Sequence, residues 1–154
     1  MSRTSEIGKV WPKKILTPCF HTFRIPGYFQ HVKCMNRAGE EIHGCVKTFQ
    51  KHLYMTAVKA PRKLKIAYAC CGYHDFVYCC ERALDERCGD PEAVDLMHET
   101  AENVFGSILS LTCGSYQRDS SDCRSLDVLP QAAANETVRR NFISPLKAIV
   151  RSLG

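Results

Sequence analysis

Ten cysteines dominate the chemistry open to this 154-residue chain. In a protein of this size cysteine sulfur forms disulfides, ligates zinc as thiolate, or serves as a redox or nucleophilic centre. Zinc modules and redox sites leave spacing signatures, and no Cys-x-x-Cys occurs here. The cysteines come instead as two doublets, Cys70-Cys71 and Cys79-Cys80, with wide gaps elsewhere. That pattern predicts a disulfide framework. A zinc site is the alternative: Cys70 and His74 sit four apart on one helical face, with Cys71 close by and His98 further along the chain. A full tetrahedral set would need two more groups from elsewhere, so neither metal nor cofactor is expected.

Other catalytic signatures fail on the residues. His98-Glu99-Thr100-Ala101-Glu102 has a carboxylate where the zincin pattern His-Glu-x-x-His needs its second imidazole. His98 is expected to face solvent. Neither a Gly-x-Ser-x-Gly elbow nor a phosphate-binding glycine loop is present.

The run Cys70-Cys71-Gly72-Tyr73-His74-Asp75 resembles the active-site helix of secreted phospholipases A2, whose pattern is Cys-Cys-x-x-His-Asp-x-Cys. The resemblance implies His74 as the base that activates water and Asp75 as a calcium ligand. Val77 stands where that pattern has its last cysteine, and Lys47 to Lys65 has no glycine for the family's calcium loop. Without calcium held by backbone carbonyls, nothing would stabilise the developing oxyanion. The expectation is therefore a non-catalytic protein, with a degenerate phospholipase A2-like lipid hydrolase as the alternative.

The elements that position these groups follow from composition and periodicity. Hydrophobic residues at 45% supply one core, and the length fits about one domain. Met1 to Gly27 is interrupted by Pro12, Pro18 and Pro26, so residues 1–28 are expected to be a poorly ordered tail. Residues 29–58 repeat apolar side chains at helical spacing, from Val32 and Met35 to Phe49 and Leu53, with Gly39 and Gly44 as soft spots. Ala60-Pro61 breaks that helix. A second helix runs from about Arg62 to Cys88 with Leu64, Ala67, Cys70 and Leu84 inward, and Gly89 is placed for a left-handed cap. Asp90-Pro91-Glu92 opens a third, ending at Cys113-Gly114, with Met97 and Leu111 among its inward residues. Residues 115–130 read as a loop tied down by Cys123, and Ser144-Pro145 opens a short last helix. That helix puts Leu146, Ile149, Val150 and Leu153 on one side. The fold class is all-α: a disulfide-stapled bundle of three main helices plus a short C-terminal one. The disulfide-rich domain spans 29–130, followed by a linker and amphipathic helix over 131–154.

Helical geometry prunes the disulfide pairings. Cys34 and Cys45, eleven residues apart, share a face but stand ~16 Å from one another, so each must cross to another helix. In an antiparallel hairpin about Ala60-Pro61, facing residue numbers sum to roughly 121. Cys34 then meets Cys88, and Cys45 falls between Cys71 and Cys79. The next hairpin brings Cys70 or Cys71 to Cys113. Neighbours on a helix point ~100° apart, so the doublet serves two partners, the second being Cys123. Cys79 then takes Cys45. Cys19 and Cys80 are left unassigned.

The arrangement Cys-Cys-x-Tyr-His-Asp-Phe-x-x-Cys, then Cys88-Gly89, Cys113-Gly114 and Ser-Asp-Cys123, resembles a group of cysteine-rich helical secreted proteins of ticks and other arthropods. It covers about residues 31–130 and implies an all-helical extracellular protein without catalytic residues. The compartment expected is accordingly extracellular. Met1 to Lys14 holds no apolar run of signal-peptide length, so that expectation rests on the cysteines and on the glycosylation sequon at Asn135. No stretch approaches a membrane span.

Net charge is +5, divided into +10 over residues 1–65 and −5 over the rest. Lys47, Lys51, Lys59, Arg62, Lys63 and Lys65 gather around the first interhelical turn as a candidate anion-binding patch, and Arg139, Arg140, Lys147 and Arg151 flank the last helix. Partners of the corresponding chemistry are a protein, a lipid surface or a sulfated glycan. No motif points to nucleic acid.

Overall fold

The computed structural model describes residues 25–131 and 141–152, apart from the side chains of residues 25–30, 104–105 and 107–110. Cys19, Asn135, Arg139, Arg140 and Leu153 lie outside the described residues, as does most of the expected N-terminal tail. The described residues form α-helices, one short 3-10 turn and no strand. The helices are α1 (Ile25–Arg37), α2 (Gly39–Lys59), α3 (Lys65–Cys88), α4 (Pro91–Cys113), α5 (Ser121–Arg124) and α6 (Ile143–Arg151). No helix among the described residues is long and apolar enough to cross a membrane.

The first expected helix is two. Ala38 forms a turn at φ −84° and ψ 0°, still right-handed, and the next helix starts at Gly39. Packing accounts for the break. Ala38 is fully buried in a cluster with Cys34, Leu84 and Ala93, where its small side chain lets α1 lean across both α3 and α4.

The two hairpin turns follow their residues. Ala60, ahead of Pro61, is extended at φ −67° and ψ 143°. Residues Arg62–Leu64 then form a 3-10 turn before α3 begins, which leaves Leu64 41% exposed rather than inward. Gly89 takes φ 58° and donates its N–H to the Asp85 carbonyl, closing α3. Asp90 accepts from the Glu92 N–H at 3.1 Å, and Pro91 occupies the first position of α4. Gly114 remains right-handed at φ −54°, so no left-handed glycine ends α4; the chain turns there through Tyr116 N–H to the Cys113 carbonyl.

Three further expectations are also corrected. The segment after Gly114 contains α5, capped by Ser120, whose hydroxyl accepts from the Cys123 N–H. At α6 the capping oxygen belongs to Asn141, which accepts from the Ser144 N–H at 2.8 Å; Ser144 is already inside the helix. Leu111, expected inward, is 88% exposed, because it lies about 200° round α4 from Cys113, which faces α3.

The core is narrow. Its largest fully buried side chains among the described residues are Leu53, Leu84, Ile149 and Thr56, and much of the remainder is alanine and half-cystine. Four disulfides compensate: Cys34–Cys88, Cys45–Cys79, Cys70–Cys113 and Cys71–Cys123, with Cα separations of 5.4 to 5.8 Å. Each joins two different helices across 34 to 54 residues of sequence. Loops of that length remove roughly 4 kcal/mol apiece of unfolded-chain freedom on the chain-entropy account.

Candidate functional site

The middle of α3 carries every residue of the Cys-Cys-Gly-Tyr-His-Asp run, and its geometry assigns the first three to architecture. Cys70 faces α4 and bonds Cys113; Cys71, a step of ~100° round the helix, faces α5 and bonds Cys123. With both sulfurs in disulfides, neither is a thiolate for zinc, and the partial ligand set around His74 is dismantled. Among the described residues no group of three or more His, Cys, Asp or Glu side chains is arranged for a metal ion.

Gly72 has a steric role. A β-carbon there would run into the imidazole of His52, which crosses from α2 to reach the Tyr68 carbonyl at 2.7 Å. A carbonyl only accepts, so His52 Nε2 carries the proton. Sequence reasoning missed this pair; a lone glycine inside an apolar helix is the signal that would have raised it. Tyr68, itself buried, donates its hydroxyl to the Asp127 carbonyl at 2.8 Å and holds the segment after α5 against the bundle.

His74 and Asp75 open on different sides of α3. His74 lines a groove of about 430 Å³ between α3 and α4, together with Tyr73, Tyr78, Glu81, His98 and Arg118. Its Nε2 is buried without a hydrogen-bond partner. Asp75 is exposed and borders a separate cavity of about 520 Å³, walled by His52, Tyr68 and the segment Cys123 to Gln131. The two adjacent residues thus border different cavities.

The groove around His74 is electrostatically occupied at its rim. His98, expected to be solvent-facing, is half exposed and pairs with Glu81 of α3. The Arg118 guanidinium lies 3.5 Å from the Tyr78 ring centroid. Burial pushes the Tyr73 phenol above its ordinary value. Next to Glu81, Cys80 is a buried free thiol; desolvation, with the neighbouring Glu81 carboxylate adding to it, pushes it up to about 11. A thiol so protonated is a poor nucleophile.

At the opposite end, His31 of α1 donates from Nδ1 to Asp90 at 2.6 Å, while its Nε2 faces Glu92 at 3.3 Å. The hydrogen bond from His31 holds the Asp90 carboxyl below its usual range, helped by the backbone N–H groups of Glu92 and Ala93. These residues lock α1 onto the start of α4.

The basic residues are dispersed along α2 and its turn. Lys47, Lys59 and Lys63 are exposed, Lys51 donates to the Gln131 side chain at 3.1 Å, Lys65 to the Ala57 carbonyl at 2.7 Å, and Arg62 to the Ser152 carbonyl. None of the six forms an ion pair with a carboxylate among the described residues. The Arg62 contact brings the end of α6 beside the α2–α3 turn. Phe142 anchors the start of α6 against Phe49 of α2, with ring centroids 5.7 Å apart, and Phe49 stacks on Phe76 of α3 at 4.9 Å.

What these features define is a class, an all-α chain whose helices are stapled by interhelical disulfides. Comparison with family models, with curated proteins and with solved structures finds no match to the chain.

Proposed function

We propose that the chain is an extracellular binding or structural module without catalysis, presenting a rigid helical surface to a partner. The observation that carries this reading is that eight cysteines close four bridges between helices. Disulfides of this density persist in oxidising compartments and are reduced in the cytosol of most cells. The narrow alanine-rich core gives the bridges a purpose, since its small side chains bury little apolar surface. The resemblance to the cysteine-rich helical proteins of arthropods points the same way.

Against lipid hydrolysis by His74 and Asp75 stands the chemistry of general bases. A catalytic imidazole needs one nitrogen open to water and the other oriented by a partner. Here Nε2 is buried without a partner, and Asp75 borders a different cavity.

Acid-trapped alkylation of the protein in its native source tests the compartment. The expected result is material recovered outside cells with the eight thiols protected, carrying a glycan removable from Asn135. Fully alkylated protein confined to the cytosol would overturn it. Calcium-dependent release of fatty acid from phospholipid, abolished in His74→Gln, would restore the hydrolase.

A further inference from the structure

The short helix α6 has more apolar surface than it buries. Pro145 and Ile149 pack inward, against the side where Phe142 meets Phe49. On the other side Ile143 is 78% exposed, Leu146 41% and Val150 64%. At ~100° per residue these three form one stripe, and Lys147 and Arg151, both exposed, border it. Of the residues expected on one side of this helix, Ile149 is buried, Leu146 and Val150 are exposed, and Leu153 lies outside the described residues.

The α2–α3 turn repeats the combination. Val58 is 52% and Leu64 41% exposed, between the exposed cations Lys59, Arg62 and Lys63. Arg62 reaches the Ser152 carbonyl, so the turn and the end of α6 adjoin. The charge here is one-sided. No carboxylate occurs in sequence between Glu41 and Asp75, nor after Glu136. None of these cations is neutralised by an ion pair among the described residues.

We infer that this end of the molecule, formed by the α2–α3 turn and the outer side of α6, docks on the surface of an anionic lipid bilayer. Cations interleaved with exposed aliphatic side chains match an interface that offers phosphate or carboxylate head groups above an acyl layer. A sulfated glycan would use the cations and leave Val58, Leu64, Ile143 and Val150 in water. The contact is peripheral; no described helix is long and apolar enough to cross a membrane. The inference deepens the reading of a binding module and rests on it for the partner's setting, while the surface itself stands on exposure and charge.

Flotation of the oxidised full chain with vesicles tests it. The vesicles are phosphatidylcholine alone, or phosphatidylcholine with about a third phosphatidylserine. Binding is expected only to the anionic vesicles and weakens with added salt. Lys63→Ser with Lys147→Ser, and separately Leu64→Ser with Val150→Ser, are each expected to lower partitioning about tenfold or more. All four side chains are at least partly exposed, and unchanged helicity with four bridges by mass confirms that each variant is folded. The aliphatic double variant is expected to leave retention on heparin unchanged. Failure of bridged protein to float overturns the docking surface and leaves the extracellular module standing. Tight heparin retention with vesicle binding indifferent to the aliphatic variant assigns the patch to sulfated glycan instead. Free thiols throughout the secreted protein would overturn the module reading itself.

Discussion

The imidazole of His52 occupies the volume that a β-carbon on Gly72 would require, and from there it donates to the Tyr68 carbonyl at 2.7 Å. One histidine on α2 thus dictates a glycine on α3, and the two helices approach closely beside the Cys71–Cys123 bridge.

This pair predicts a reversal of sign. Gly72→Ala in the wild-type background is expected to destabilise by about 1–3 kcal/mol through overpacking. In a His52→Ala background the same change is expected to be neutral, or to stabilise by up to about 1 kcal/mol through helix propensity. Urea denaturation of the four proteins reads the coupling directly, and additive effects would rule out the steric account.

Asp90 supplies a pH dependence. Its carboxyl is held below the ordinary value by His31, so the folded state favours the charged form. That contribution is complete above the unfolded-state value of about 3.9 and disappears as pH falls through the lowered folded one. Asp90→Asn keeps a capping oxygen for α4 but removes the charge. The variant is expected to be less stable than wild type at neutral pH, with the gap closing below about pH 4. Thermal melts across that range check it, and a gap independent of pH would contradict it.

Cys80 is expected to behave as a protonated core side chain. Its thiol, pushed up to about 11, resists iodoacetamide in the folded protein at mildly alkaline pH and reacts once denaturant exposes it. Cys80→Ala is expected to cost about 1 kcal/mol and Cys80→Ser more, because the serine hydroxyl would be buried where sulfur packs. Rapid native alkylation would place the thiol at the surface.

Leu84 and Leu111 separate the covered from the uncovered sides of the bundle. Leu84 is fully buried and Leu111 is 88% exposed. Leu84→Ala is expected to cost about 2–5 kcal/mol, and Leu111→Ser within about 0.5 kcal/mol of nothing. Equal losses would mean that α4 is rotated from the orientation described.

Much of the scaffold was legible because helical register is arithmetic. Cys34 meets Cys88 since both sit at the same height of hairpins set by Ala60-Pro61 and Gly89, and the ~100° between Cys70 and Cys71 forces separate partners. Helix α4 was legible from Asp90-Pro91-Glu92, where cap, proline and charge agree. The break at Ala38 was legible only as the soft spot at Gly39, and the burial of Ala38 beside it was not, because that depends on Leu84 and Ala93 arriving from other helices. Periodicity marked α6 as amphipathic but says nothing of how much of its stripe a neighbour covers. The His74-Asp75 pair was legible as a motif and not as a geometry, since which groove each residue borders depends on α4, α5 and the loop beyond.

Disulfide mapping of unreduced protein, alkylated before digestion and fragmented between Cys70 and Cys71, tests the stapled bundle most directly. The predicted result is Cys34 joined to Cys88, Cys45 to Cys79, Cys70 to Cys113 and Cys71 to Cys123, with Cys80 alkylated only after unfolding. Cys70 joined to Cys123, or these eight cysteines recovered as free thiols from natively isolated protein, would contradict it.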